Sequence, residues 1–223
     1  MRRIIIALVL LLVWQGMNAQ QKFSVGIQGG LGVSFSENEY KSGNEYTNDV
    51  ILGIPEIYPV LSHMYNLYLS YRINDEFGIA MEPGIIRKGY GSKRVEEEGE
   101  REVLFDRRKM DYLQFPLLLE LFLTESVTLT AGPEIGYLLN KKMSTTRNSK
   151  PVASTDLPKN NRFDVGMQVG GHYTFMKHLD VGIKVGVSFL RGDKYYLTND
   201  AGEVLTRVSR RNMYASPFIR IKL

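Results

Sequence analysis

Cysteine is absent from the 223-residue chain, and that one absence removes several functions at once. Without it there is no disulfide framework, no thiolate metal ligand, no thiol nucleophile and no N-terminal cysteine for a lipid anchor. Histidine is scarce, with three residues. Net charge is small: the +4 of the full chain falls to +2 once Arg2 and Arg3 leave with a leader, 26 basic residues against 24 acidic. A nucleic-acid partner needs a stronger basic excess. Long apolar runs are missing too. Past residue 14 nothing approaches the roughly 18 unbroken apolar residues of a spanning helix. Any membrane crossing must therefore be made by strands.

The start of the chain, "MRRIIIALVLLLVWQGMNAQQ", has the three parts of a secretory leader: Arg2 and Arg3, an eleven-residue apolar run from Ile4 to Trp14, and the small residue Ala19 before Gln20. Eleven apolar residues are too few to span a bilayer but suit a signal h-region. The expected organisation is a signal peptide at 1–19 and one β-barrel domain at 20–223.

Strict alternation dominates what remains. In "VTLTAGPEIGY" (127–137) every second residue is apolar, from Val127 to Tyr137. The residues between are Thr, Gly and Glu, as in a strand with one greasy face. Seven more segments behave alike: Phe23–Phe35, Leu61–Ile73, Phe77–Ile85, Tyr112–Leu123, Phe163–Phe175, Leu179–Phe189 and Met213–Leu223. Short links around "NDE", "TES" and "KH" alternate with polar stretches of about 17 to 25 residues. An even number of strands, with short turns at one end and long loops at the other, predicts an all-β, eight-stranded antiparallel up-and-down transmembrane barrel with periplasmic turns and extracellular loops.

The rings decide which face meets lipid. Phe23, Phe35, Tyr71, Phe77, Tyr137, Phe163, Phe175 and Phe189 stand at strand ends. Phe23 and Phe35 are twelve residues apart, as are Phe163 and Phe175. At ~3.3 Å per residue and a tilt of roughly 40° this spans about 30 Å, a membrane thickness. The apolar face is thus expected to meet lipid and the polar face to line the lumen. Gln28, Glu82, Gln114 and Glu120 lie on that polar face, together with Glu134, Gln168, Lys184 and Arg220. An eight-stranded barrel is just wide enough for side chains to fill it. Equal heights on opposite strands suggest lumen-crossing ion pairs Glu82–Lys184 and Glu120–Arg220. Pro83, Pro116, Pro133 and Pro217 lie inside the strands, and each requires a bulge or a local break.

At "YLQFPLLLELF", "AGPEIGYLL" and "NRFDVGMQVGGHY" the chain resembles the PorT-like outer-membrane β-barrel proteins common in Bacteroidota, over nearly its whole length from Phe23 onward. The resemblance implies a barrel of about eight strands, with no single biochemical activity. Some members serve a protein-secretion apparatus.

Enzyme chemistry finds little support in the residues. His63 falls on the lipid face, His172 in the lower lumen and His178 in a short turn, so they cannot form one acid–base or metal centre. The run "EEEGERE" lacks the ligand spacing of a Ca²⁺ loop. No cofactor, metal or nucleic acid is expected, and the barrel is expected to be monomeric in outer-membrane lipid. The loops differ in charge: 36–60 holds five acids and one base, and 141–162 holds six bases and one acid. Such loops suit a protein or glycan partner, and the basic one suits the phosphates of a surface glycolipid. The expected function is a structural or interaction scaffold, with an accessory role in protein secretion as its narrower form. The alternatives are a narrow pore or transporter for small solutes and a soluble periplasmic barrel for a lipid-like ligand. In two long loops, polar tips at Gly99 and at "NDAG" (199–202) lie between β-formers, which predicts that strand pairs three–four and seven–eight project as ribbons with open edges. Intact-mass analysis of membrane-purified protein is expected to show loss of 19 residues, with Gln20 at the new N-terminus; a retained Met1 would contradict the leader.

Overall fold

The computed structural model describes residues 22–42, 56–96, 102–147, 150–159, 162–190, 193–198 and 204–223. The expected leader at 1–19 and the expected tips at Gly99 and 199–202 lie outside them. Strands in chain order are β1 (Phe23–Ser42), β2 (Glu56–Tyr58), β3 (Val60–Arg72), β4 (Phe77–Met81), β5 (Gly84–Glu96), β6 (Glu102–Phe122), β7 (Val127–Arg147), β8 (Lys150–Asp156), β9 (Phe163–Met176), β10 (Leu179–Ser188), β11 (Asp193–Thr198) and β12 (Val204–Lys222).

Pairing is antiparallel throughout and closes on itself. β1 pairs with β3, and β3 with β4 and β5, which together fill one place in the wall. The wall continues through β6, β7, β9, β10 and β12, and β12 returns to β1. The result is an eight-place ring. Closure removes the sheet edges that hydrocarbon would leave unpaired. Side-chain acceptors make the short turns. Asn74 Oδ1 accepts from the N–H groups of Glu76 (2.9 Å) and Phe77 (2.7 Å), and Thr124 Oγ1 accepts from Ser126 and Val127. Both are local bonds that Asn and Thr supply well in turns.

The burial pattern is that of a membrane protein. Ile27, Leu31, Leu67, Ile183 and Ile219 are 52–62% exposed, whereas Glu82, Glu120, Lys184 and Arg220 are 0–1% exposed. The girdle rings Phe23, Phe35, Tyr71, Phe77, Phe163, Phe175 and Phe189 also face outward. The lumen, expected to hold small and polar residues, contains rings as well. Tyr90, Tyr112, Tyr214 and Phe218 form an apolar cluster with Met64, Ile86, Met110 and Leu138. Tyr68, Ala80 and Leu118 form a smaller one. Glycines of β10 make the space. A Cβ at Gly182 would lie 2.7 Å from Phe218 Cζ, and one at Gly186 would overlap the Tyr214 ring.

The four strand prolines fall at or beside gaps in the ladder. Glu82 and Pro83 interrupt one wall position between β4 and β5, and Pro116 faces the same gap, its carbonyl accepting from Glu82 N–H at 3.2 Å. The β6–β7 ladder skips between Pro116↔Glu134 and Leu119↔Ala131, beside Pro133. The β1–β12 ladder skips between Gly30↔Phe218 and Val33↔Ala215, where Pro217 lies. Each missing N–H therefore falls where no ladder bond is made.

The long-loop end departs from expectation. β5 and β6 stay paired out to Glu96↔Glu102, and β11 pairs with β12, but neither hairpin is a free ribbon. β2 covers the outer edge of β5, β7 covers β6, and β1 covers β12 as far as Ser42↔Thr206. A third hairpin, β7–β8, rises from the segment expected to be a basic loop. Neighbouring strands also continue upward, so backbone groups that a lone ribbon would expose find partners. Above the ring the wall splits into two curved sheets, β2–β5–β6–β7–β8 and β1–β12–β11. Among the described residues the unpaired edges lie on β2, β8, β11 and the upper part of β1.

The inverted burial has a direct consequence. Ile183→Arg, at the middle of the lipid-facing side of β10, is expected to destabilise the barrel in vesicles by about 2–4 kcal/mol. Urea unfolding measures it, and a cost near zero would show that this face is not in hydrocarbon.

Candidate functional site in the barrel lumen

The lumen is bridged by charged side chains from one mouth toward the other. At the strand break Glu82 turns its carboxylate inward and meets two cations. Lys184 of β10 contacts Oε2, and Arg220 Nη2 of β12 donates to Oε1 at 2.9 Å. Gln28 Nε2 donates to Oε2 at 2.9 Å and Gln168 Nε2 at 3.4 Å. The guanidinium of Arg220 is fully used. Its Nε and Nη2 donate to Gln28 Oε1 at 3.2 and 3.1 Å, and its Nη1 donates to Asp180 Oδ2 at 3.3 Å. Its plane lies over the Tyr68 ring, 3.5 Å from the centroid. Toward the short-turn mouth, Asp180 also pairs with Lys222 at 2.7 Å and accepts from Thr174 Oγ1.

A second centre lies higher. Lys88 Nζ sits 2.7 Å from Glu134 Oε1 and 2.9 Å from Asp164 Oδ2, and Ser188 Oγ donates to the same Asp164 oxygen. Tyr214 joins the two centres. Its hydroxyl donates to Glu134 Oε2 at 2.7 Å and lies 2.9 Å from the side-chain oxygen of Gln168. A polar chain thus runs from Asp164 through Lys88, Glu134, Tyr214, Gln168 and Glu82 to Arg220 and Asp180. Above it the guanidinium groups of Arg210 and Arg108 lie over the Tyr90 ring, 4.5 and 5.6 Å from its centroid. Charges this deeply buried are tolerated when paired and hydrogen-bonded.

Of the eight lumen residues anticipated from alternation, Gln28, Glu82, Gln168, Lys184 and Arg220 form one cluster, and Glu134 joins through Tyr214. Glu120 stands apart. The expected Glu120–Arg220 pair is not made, because Tyr68 lies between them. Its ring stacks on Arg220 while its hydroxyl donates to Glu120 at 2.8 Å, and Ser70 supplies a second donor. Among the described residues Gln114 makes one side-chain hydrogen bond, from Nε2 to Asn66 Oδ1 at 3.5 Å, and its Oε1 accepts none. Asp180, Asp164, Lys88, Tyr68 and Tyr214 escaped the sequence reading. Asp164 and Asp180 are the first polar-face residues of their strands, and Lys88 keeps the parity of Glu82 past the expected strand end at Ile85, so extending the alternation by three residues would have found it.

Of the histidines, His63 is on the outer side of β3, His172 is in the lumen, 3.7 Å from Asp180, and His178 is in the β9–β10 turn. Among the described residues no group of three His, Asp or Glu is placed to hold a metal ion.

This geometry is a membrane-spanning β-barrel with a filled interior. The chain belongs to the outer membrane protein beta-barrel domain family, whose profile matches residues 18–190. The protein is thus an outer-membrane barrel with periplasmic turns and extracellular loops. No curated protein matches the chain. Similar solved structures include Neisserial surface protein A (14% identity, 89% of this chain and 97% of that one, TM-score 0.38). OprG from Pseudomonas aeruginosa is another (13%, 91% and 96%, TM-score 0.42). A third is Ail of Yersinia pestis in complex with sucrose octasulfate, a heparin analogue (13%, 88% and 99%, TM-score 0.36). Identities and TM-scores this low carry no information on ligand or partner.

Glu82 holds the lower centre together. Glu82→Gln is expected to cost about 3–5 kcal/mol by leaving two cations undercompensated. Glu82→Met combined with Lys184→Met is expected to cost clearly less than the sum of the two single changes. Unfolding in vesicles measures both, and additive single costs would show that the pair is not coupled.

Proposed function

We propose that this barrel is a closed scaffold that holds its extracellular strands and loops out to a protein or glycan partner. The observation that carries this reading is the contrast between the two ends of the wall. Within the membrane the lumen is crossed by the Glu82–Lys184–Arg220 and Lys88–Glu134–Asp164 clusters. Above it the strands continue as two sheets with unpaired edges. An unpaired edge offers N–H and C=O groups to a strand of another chain, the basis of β-augmentation. β8 is an open edge, with all seven residues exposed. The likeness of "YLQFPLLLELF" and "NRFDVGMQVGGHY" to PorT-like proteins gives the reading its narrower form, an accessory of protein secretion. No catalytic step belongs to it.

Planar-bilayer recordings of the purified protein are expected to show no steady conductance. Surface cross-linking on intact cells is expected to lose its adduct when 150–156 is replaced by a Gly/Ser segment while the barrel stays folded. Reproducible channels would instead support a narrow pore or transporter, and adducts indifferent to β8 would move the binding surface elsewhere.

A further inference from the structure

Two lysines face each other directly across the β6–β7 ladder. Lys109 is the register partner of Lys142, and both side chains point to the outside of the wall. The bulge between Asp111 and Tyr112 produces this. Below it the odd-numbered residues of β7 face outward; above it Asn140, Lys142 and Ser144 do, opposite Asp111, Lys109 and Arg107. Directly opposed side chains start only ~5 Å apart, where like charges destabilise a sheet. On the other flank of Lys109 is Gly89, which has no side chain to cover it.

The neighbouring charges do not neutralise the pair. Asp111 is already engaged by Arg87 through two hydrogen bonds, at 2.7 and 3.1 Å. Asp156 lies 3.8 Å from Lys142, and both are well exposed. Among the described residues Arg107 and Lys109 have no ion-pair partner. Four cations, Arg87, Arg107, Lys109 and Lys142, therefore share two carboxylates on one outward strip.

The height of the strip selects its ligand. Arg87 is two residues above the lipid-facing Ile85, and Lys109 is four residues above Leu113, which pairs with the girdle residue Tyr137. At ~3.3 Å per residue and a tilt of roughly 40°, Lys109 lies about 10 Å beyond the girdle. Long cationic side chains reach from there toward the interface. Directly below, exposed Ile85 and Leu139 present an apolar wall to acyl chains. We propose that this strip binds the phosphate of a phosphorylated glycolipid in the outer leaflet, with Lys109 and Lys142 clamping the phosphate, Arg107 beside them and the acyl chains lying on the wall beneath. The site is on the outside of the barrel and does not depend on the scaffold reading.

The test uses the full mature protein in detergent micelles, with a synthetic diphosphorylated acyl-disaccharide glycolipid, its dephosphorylated analogue, and inorganic phosphate as probes. Wild type is expected to bind the diphosphorylated glycolipid roughly tenfold more tightly than Lys109→Gln/Lys142→Gln. Stability should cross over. Without glycolipid the double variant should unfold no earlier than wild type, because a repulsion has been removed. With glycolipid wild type should unfold later. A second variant, Lys177→Gln in the distant turn, should match wild type in both states. Equal binding by wild type and the double variant would overturn the proposal. Equal binding of the dephosphorylated analogue would show that acyl chains alone are recognised, and equal protection by inorganic phosphate would show a soluble-anion site; either result overturns it.

Discussion

Glu82 places a carboxylate between two cations in the middle of a membrane-spanning barrel, and much of the architecture is arranged around that contact. A lone charge at this depth would be unsustainable, but Lys184, Arg220, Gln28 and Gln168 surround it with donors. The residues come from four different places in the wall, so the cluster ties strands across the lumen as well as along the ladder. The backbone takes part too. Glu82 occupies the break between β4 and β5, and Pro83 and Pro116 share that gap, so the interruption that accommodates two prolines also frees the residue that the lumen is built on.

The same chain satisfies two solvents. Toward lipid it presents Ile, Leu and Val between aromatic girdles. Toward its axis it presents charge, hydroxyls and rings packed over glycines. Above the girdles the constraint of closure is lifted, because water can satisfy an unpaired N–H. The wall opens there into two sheets. The barrel is filled within and open-edged above, and the proposed role lies at its extracellular end and on its outer rim.

Much of the transmembrane part was legible in the sequence, because alternation is strictly enforced where one face meets hydrocarbon. The segment "VTLTAGPEIGY" showed itself as a strand and showed its outward face directly, and "NDE" and "TES" marked tight turns through Asn74 and Thr124. Legibility ended where that pressure ends. Past Ile85 and Tyr137 the outward face turns polar; the β-formers flanking Gly99 still marked the continuation of β5 and β6, but the extension of β7 and the β7–β8 hairpin fall in a segment read as a basic loop. The choice of Asp180 over Glu120 by Arg220 depends on Tyr68 lying between them, a matter of shear and ring packing that equal heights on opposite strands do not capture. The lumen rings were missed because polar-face Tyr and Phe look, in one dimension, like breaks in the pattern.

The central claim is that the lumen is a sealed core, and the absence of native cysteine makes it directly testable. Ser216 is fully buried beside Lys184 in the β10–β12 ladder, while Lys177 is exposed in a periplasmic turn. Single variants Ser216→Cys and Lys177→Cys, reconstituted in vesicles and treated from both sides with a charged maleimide, should separate completely. Lys177→Cys should react fully, and Ser216→Cys should stay unmodified over the same time until the barrel is unfolded. Modification of Ser216→Cys at a rate comparable to that of Lys177→Cys would mean a water-filled lumen, and would contradict the account.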